Sequence, residues 1–239
     1  HLEHRRQRQM CIRDRWGGGW LEKLGSMDYA GGFVVHVSAG FSGLVITLFL
    51  GARHRFQSQE CQPHNLGFAV IGATALWFGW FGFNGGSANT VLHAAKVIVN
   101  TQAAASAAVL AWMVYDFALR NKPKVSSMIG ASVSGLVAIT PACGFVDVSS
   151  SLLIGAISGI LCPSVIKIFA KLRFDDTLDV FSIHGIGGII GGLSVGILAA
   201  RTFGGTGFEI KTPIWHQVGI QCLALLATAN WSGLWTYIL

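Results

Sequence analysis

Charged residues are scarce in this chain, since only 12% of its 239 residues are Asp, Glu, Lys or Arg. So few charges, beside 52% hydrophobic residues, argue against an ordinary soluble domain. Proline is also rare, at 5 residues, whereas glycine is abundant at 31. Because small residues let transmembrane helices approach one another closely, this composition indicates a membrane protein.

The five cysteines lie far apart and show neither a CxxC pair nor zinc-finger spacing. The sequence therefore indicates no disulfide framework and no structural metal site, and we expect no cofactor. No two carboxylates have the spacing of a general acid and base, which argues against an enzyme. A rival interpretation, an intramembrane metalloenzyme built on histidines, lacks a third ligand inside the apolar runs.

The net charge of +6 is concentrated at the start of the chain. Residues 1–15 are rich in arginine and show no apolar period, so we interpret them as a basic unstructured leader, or as a remnant foreign to the natural protein. The chain begins with His1 instead of Met, and we expect the natural start to lie upstream. Most of the other Lys and Arg residues lie in short gaps between apolar runs, which argues against a nucleic-acid partner.

Seven apolar runs are long enough to cross a bilayer core of ~30 Å as helices. They cover about residues 29–51, 67–87, 94–117, 126–144, 151–170, 179–199 and 215–238. Lys and Arg accumulate in alternate gaps between these runs, and the positive-inside rule places those gaps in the cytoplasm. The sequence therefore predicts an all-α, polytopic membrane protein whose first span begins at the outer face.

Glycines spaced four residues apart predict where these helices pack tightly. Residues with this spacing share one helix face, and small residues on that face admit a neighbouring backbone. No strand precedes the glycines, which argues against a phosphate-binding loop. The pairs are Gly155 and Gly159, Gly187 and Gly191, and Gly192 and Gly196.

Two histidines lie well inside predicted spans, His36 in the first and His184 in the sixth. Each imidazole alone could be a packed side chain bonded to a neighbouring carbonyl. Together they could form a proton relay, because neutral imidazole has one donor and one acceptor nitrogen. A rise of 1.5 Å per residue leaves them about 9 Å apart along the membrane normal, a gap that errors in helix boundaries can close. A third histidine, His93, lies at the mouth of the third span.

Asp28 and a run of aromatic residues are further candidates for a functional site. Asp28 lies at the start of the first helix, where it could cap the helix or help to attract a small cation, and the two roles are compatible. The aromatic residues of 75–88 could be an interface belt or a face that holds a cation. Ser87 could accept a hydrogen bond from such a cation, and Trp16 offers a further aromatic face.

Three aspartates precede the sixth span on its cytoplasmic side. We expect them to cap that helix and to pair with Lys171 or Arg173, and we assign them no role in transport. They are Asp175, Asp176 and Asp179.

Several motifs, taken in order, resemble the family of ammonium transporters, methylammonium permeases and Rhesus proteins, on its bacterial ammonium-transporter side. They are Trp-Gly-Gly-Gly (16–19), Met-Asp-Tyr-Ala-Gly-Gly-Phe-Val-Val-His (27–36), Pro-His-Asn-Leu (63–66), Trp-Phe-Gly-Phe-Asn-Gly-Gly-Ser-Ala (80–88), Thr-Pro-Ala-Cys-Gly-Phe-Val (140–146), Asp-Val-Phe-Ser-Ile-His-Gly (179–185) and Trp-His-Gln (215–217). The resemblance implies an inverted repeat of eleven helices, a homotrimer and one pore per subunit. We interpret residues 16–239 as this transmembrane domain, truncated at both ends and holding seven of the eleven helices.

The resemblance also implies roles for individual residues. Trp16 and Ser87 match an outer site that recruits ammonium, and Phe83 matches one of two stacked gate phenylalanines. His36 and His184 match the twin histidines of a hydrophobic pore. The implied function is transport of ammonium or ammonia, with methylammonium as an analogue: ammonium loses a proton near the gate, neutral ammonia crosses, and the imidazoles pass the proton. Burying a bare cation would cost far more.

Further expectations follow from the same resemblance. Asp28 matches the aspartate at the start of the histidine helix. The expected surroundings are lipid and a bacterial inner or plasma membrane, and a PII-type regulator is an expected cytoplasmic partner. An alternative function is an ammonium sensor or regulatory protein of the same fold, with little transport. The second gate phenylalanine and most of the first repeat would lie upstream of this chain.

Overall fold

The computed structural model describes residues 19–53, 64–119, 122–208 and 212–239. Within these ranges the regular secondary structure consists of helices, and no strand is assigned. The predicted leader, residues 1–15, and Trp16 lie outside the described residues. The helices of four residues or more are α1 (Trp20–Lys23), α2 (Gly32–Leu50), α3 (Leu66–Gly85), α4 (Val91–Ala118), α5 (Val125–Ile139), α6 (Val148–Lys171), α7 (Phe181–Leu198) and α8 (Ile214–Ile238).

Helices α2 to α8 coincide with the seven predicted apolar runs, which confirms the all-α membrane fold. Five of them, α2, α3, α4, α6 and α7, are long and apolar enough to cross a membrane. Helix α5 has only 15 residues and ends at Ile139, earlier than the predicted 144. Pro141 accounts for this early end, because it has no backbone N–H with which to continue the helical hydrogen bonds, although Thr140 before it still has helical backbone angles, φ −51° and ψ −48°.

Helix α8 is long, but its glutamines lower its hydropathy. These glutamines hold the chain segment that leads into α2. The Gln221 side chain accepts a hydrogen bond from the Met27 backbone N–H at 2.9 Å and donates one to the Met27 carbonyl at 2.8 Å. The Gln217 side chain donates to the Gly25 carbonyl at 2.9 Å. The glutamines of α8 therefore fix the segment that leads into α2, the helix that carries His36.

The helix faces that the glycine spacing predicted are the faces that pack. A Cβ atom added at Gly155 would collide with the carbonyl oxygen of Ala104, and one at Gly159 with that of Ala108. These contacts join α6 to α4 along one stripe of small residues. Large apolar side chains instead cover the outer faces, for example Phe78, which is 76% exposed. Such a surface suits contact with lipid.

An ion pair joins the segment after α2 to the segment before α7. The Arg53 guanidinium donates to both carboxylate oxygens of Asp175, Nε at 2.6 Å and Nη2 at 2.7 Å, and the Arg53 backbone N–H adds a third bond at 2.8 Å. The predicted pairing of Asp175 with Lys171 or Arg173 is therefore wrong. Its true partner lies 122 positions away in the chain, beyond the reach of local spacing.

The Arg53 and Asp175 pair should make thermal stability depend on pH. The Arg53 hydrogen bonds hold the pKa of Asp175 below its ordinary value. A lowered folded-state pKa adds stability above the ordinary Asp range, and that stability is lost as the pH falls through the lowered value. Arg53→Ala should therefore lower the melting temperature at pH 7 and have a smaller effect below about pH 4. Unfolding in detergent micelles measures this, and Lys171→Ala is the control. An equal loss at both pH values would contradict it.

Candidate functional site

The two histidines predicted inside the membrane lie in contact. Their Nδ1 atoms are 3.2 Å apart, and the ring centroids are separated by 5.3 Å with planes 34° apart. Two neutral imidazoles at this distance share one proton: one Nδ1 donates, the other accepts, and the tautomers differ accordingly. The prediction that His36 and His184 could meet is confirmed. What the pair does chemically stays a prediction at this point.

The second ring nitrogen of His36, Nε2, is available for chemistry. His36 is 3% exposed, and its Nε2 atom is buried with no hydrogen-bond partner among the described residues. A buried polar atom without a partner is costly, so its persistence needs a reason. A small hydrogen-bonding solute that passes beside Nε2 would supply one.

Both histidines sit in π-helical turns, a feature that the sequence analysis did not predict. His36 lies in the π-helical segment Gly32–Val37, and His184 in the π-helical segment Phe181–Gly185. Such turns are rare, and they occur frequently at functional sites. Here each one sits where a histidine must leave the regular helical register to face the other.

Asp28 holds the first π-helical turn in place. Its Oδ1 accepts hydrogen bonds from the backbone N–H groups of Gly31 at 3.1 Å and Gly32 at 2.6 Å, and its Oδ2 accepts from Phe33 at 2.9 Å. The carboxylate therefore satisfies N–H groups that a helix start leaves without partners. The capping interpretation of Asp28 is confirmed, and its role in attracting a cation stays a prediction.

Asp176 does for His184 what Asp28 does for His36. It lies eight residues before its histidine, the same spacing as in the first helix. Its carboxylate accepts from the backbone N–H of Val180 at 2.8 Å and of Ser182 at 3.1 Å. The sequence predicts a cap among three aspartates without singling out this one. The repeated spacing was the signal that could have found it.

Asp179 is the third aspartate at this end of α7, and its carboxyl group is unusually basic. Burial, with the charge of Asp176 adding to it, raises the pKa of Asp179 to about 6. Its φ of 53° lies in the left-handed region, which is uncommon for a residue other than glycine. The entrance to the second histidine helix thus carries a carboxyl group, that of Asp179, whose pKa lies well above that of an ordinary aspartate.

Glycines allow the two histidine helices to cross closely. A Cβ atom added at Gly40 would collide with the backbone of Gly185, the residue next to His184. A Cβ at Gly188 would lie 2.7 Å from the side chain of Val37, the residue next to His36. The crossing point of α2 and α7 is therefore the point at which the imidazoles meet.

Aromatic rings enclose His36. The indole of Trp80 stacks on the imidazole with centroids 5.1 Å apart and planes 17° apart. The Phe83 ring lies 5.9 Å from the imidazole and 5.6 Å from the indole. The predicted gate residue Phe83 is thus part of this wall. In the sequence Trp80 is one aromatic among several in 75–88, because a helical run of aromatics does not reveal which ring faces inward.

The remaining predicted residues take different positions. Ser87 is half-buried in the turn that follows α3, four residues beyond Phe83. His93 does not join the histidine pair, since its ring stacks on Tyr29 at 5.6 Å with planes 5° apart. Trp16 lies outside the described residues. Within the part of the chain that the structure describes, no three His, Cys, Asp or Glu side chains gather as metal ligands would.

Comparison with known proteins gives one consistent family. The sequence model of the Ammonium Transporter Family matches residues 14–239. The chain is 43% identical to ammonium transporter Amt1 of Archaeoglobus fulgidus over 228 residues, which cover 94% of this chain and 57% of that protein. It is 38% identical to an ammonium transporter of Bacillus subtilis over 231 residues, covering 94% of this chain and 56% of that protein.

Solved structures give the same result. The crystal structure of Saccharomyces cerevisiae Mep2 matches with a TM-score of 0.82 and 38% sequence identity, covering 93% of this chain and 52% of that one. A structure described as a sensor Amt protein matches with a TM-score of 0.84 and 34% identity, covering 93% of this chain and 58% of that one. The chain spans about half the length of the curated relatives it matches.

Proposed function

Because this chain belongs to the Ammonium Transporter Family, we propose that the protein carries ammonium or ammonia across a membrane. The observation that carries this proposal is the buried Nε2 atom of His36, which has no partner among the described residues. It lies on an imidazole whose other nitrogen already contacts His184 and whose face is covered by aromatic rings. Ammonia is a small solute that can both accept and donate a hydrogen bond at such an atom.

In the proposed mechanism the cation is stripped of its charge before it reaches the apolar wall. Trp16 and Ser87 recruit ammonium at the outer end, and Phe83 restricts the passage that follows. Ammonium gives up a proton, and neutral ammonia passes His36, since burying a bare cation among apolar groups would be prohibitive. The two imidazoles carry the proton. One imidazole of the pair accepts a proton at a ring nitrogen while the other imidazole releases one.

The family and the charge pattern support the setting that we propose for this activity. The chain is an integral membrane protein, and we place it in a bacterial inner or plasma membrane, in contact with lipid. The ends of α2, α4, α6 and the start of α7 face the cytoplasm, because Lys and Arg accumulate there. The complete protein is a homotrimer that a PII-type cytoplasmic protein regulates.

A second candidate function is ammonium sensing with little flux. The match to a sensor Amt protein, at a TM-score of 0.84, supports it as an alternative. Both functions need a site for ammonium, but only a transporter needs an imidazole pair that returns to its starting protonation state after each passage.

Removing either imidazole tests transport directly. We expect His36→Ala and His184→Ala each to lower methylammonium uptake by roughly 10²-fold, the scale of a positioned acid–base group. Uptake is measured in transporter-deficient cells that express the complete gene, with and without a proton gradient. His64→Ala, which changes an exposed histidine, is the control.

The outcomes separate the candidates. Uptake by the wild-type protein, lost in both variants and kept in the control, supports the transporter. Binding of methylammonium without uptake by the wild-type protein supports the sensor. Full uptake with an unchanged proton dependence in both variants would overturn the proposed role of the imidazole pair.

A further inference from the structure

The indole of Trp80 is held by a hydrogen bond at its far edge. Trp80 is 6% exposed, and its Nε1–H donates to the Thr140 hydroxyl at 2.9 Å. The hydroxyl hydrogen is committed elsewhere, since Thr140 donates it to the carbonyl oxygen of Leu136 at 2.7 Å. Its lone pair therefore stays directed at the indole, and the orientation of the ring that covers His36 is fixed from behind.

The segment around Thr140 also fixes the helix that carries His36. Thr140 and Pro141 follow the last turn of α5, and their carbonyl oxygens accept hydrogen bonds from the approach to α2. The Ala30 N–H donates to Thr140 at 3.2 Å, and the Tyr29 N–H donates to Pro141 at 3.0 Å. The backbone of Thr140 and Pro141 thus positions the helix of His36, and the Thr140 side chain positions the indole that covers it.

The bond to Thr140 does something that packing alone would not. A buried indole N–H needs an acceptor, and Thr140 is fully buried, so water does not replace the hydroxyl. Valine has nearly the same shape as threonine and lacks the acceptor. Without it, the N–H either stays unsatisfied, at a cost in free energy, or the indole turns toward another acceptor and leaves its stacked position on His36.

We propose that Thr140 is a positioning residue for transport: its hydroxyl locks the Trp80 indole in the orientation that covers His36. Thr140 acts through the indole and not on the solute. This inference rests on the proposed function, because it assigns a role within the same passage. It also makes a prediction of its own: the effect of replacing Thr140 should disappear when the indole N–H is absent.

A set of four variants in the complete protein tests this prediction. Thr140→Val should lower methylammonium uptake about tenfold or more, the order expected when a group at a reacting centre is misplaced. Thr140→Ser keeps the hydroxyl and should restore uptake. Trp80→Phe lacks the N–H, so adding Thr140→Val to it should cause no further loss, a non-additivity that marks a direct coupling. Thr228→Val, at a buried threonine of α8, is the matched control.

The indole resonance of Trp80 gives a readout that does not depend on transport. In protein labelled with ¹⁵N-tryptophan, Trp80→Phe identifies the signal, Thr140→Val should shift it, and Thr140→Ser should leave it near its wild-type position. Equal losses from Thr140→Val with and without the indole, or an unmoved signal, would overturn the proposal. If the wild-type protein shows no uptake, the transport proposal fails, and the indole signal alone then decides whether Thr140 positions the ring.

Discussion

Replacing Gly40 with alanine should abolish uptake, because the new methyl group has no space at the crossing of the histidine helices. A Cβ at Gly40 collides with the backbone of Gly185, and backbone atoms cannot turn aside as a flexible side chain can. The helices must separate, and the His36–His184 contact of 3.2 Å would be lost with them. Overpacking of this kind costs about 1–3 kcal/mol in stability, and a displacement of ~1 Å at a reacting centre can cost about 10² in rate.

The same change elsewhere provides the control for Gly40. Gly72 lies in α3, where an added Cβ meets nothing within 4 Å. Gly72→Ala should therefore leave uptake unchanged and stabilise its helix slightly, by ~0.5–1 kcal/mol. Uptake per molecule in the membrane is compared for the two variants, beside melting temperatures in micelles. A Gly40→Ala protein that takes up methylammonium at the wild-type rate would show that the close crossing is not needed for transport.

The helices could be predicted from the sequence because lipid imposes a simple rule on them. A span must be long and apolar, and its backbone must bond within itself, so length and hydropathy locate it. The glycine stripe at Gly155 and Gly159 was predictable for the same kind of reason, since spacing alone defines a helix face. The early end of α5 is the instructive exception. Pro141 carried the signal, but apolar residues on both sides of it concealed the break.

The site could be predicted only in part, because contacts between distant segments leave no local trace. His36 and His184 stood out since an imidazole inside an apolar span is unusual. Their π-helical turns, the stacking of Trp80 and the Arg53–Asp175 pair all depend on which helices are neighbours. The resemblance to a known family supplied the pairing of the histidines, and the spacing shared by Asp28 and Asp176 would have singled out Asp176 among the three aspartates expected to cap the second histidine helix.

Removing the carboxylate of Asp28 should also have a large effect, since three backbone N–H groups of one turn bond to it. Hydrogen bonds to a charged group contribute about 1.5–3 kcal/mol each, so Asp28→Ala should release the π-helical turn and abolish uptake. Asp176→Ala should do the same to the turn of His184. Asp147→Ala removes an ordinary cap from α6, a 2.8 Å bond to Ser150, and should cost ~0.5–2 kcal/mol while leaving uptake per folded molecule unchanged.

Asparagine variants separate the two interpretations of Asp28. Asparagine keeps one oxygen for the cap and loses the charge, so a residue that only caps should show a reduced maximal rate in both Asp28→Asn and Asp176→Asn. If the Asp28 charge also attracts the cation at the outer end, Asp28→Asn should in addition raise the methylammonium concentration for half-maximal uptake, and high salt should reduce that difference. Equal half-maximal concentrations in the wild-type protein and in both variants would leave Asp28 with the cap alone, and the attraction of ammonium would then fall to the aromatic and hydroxyl groups around Phe83 and Ser87.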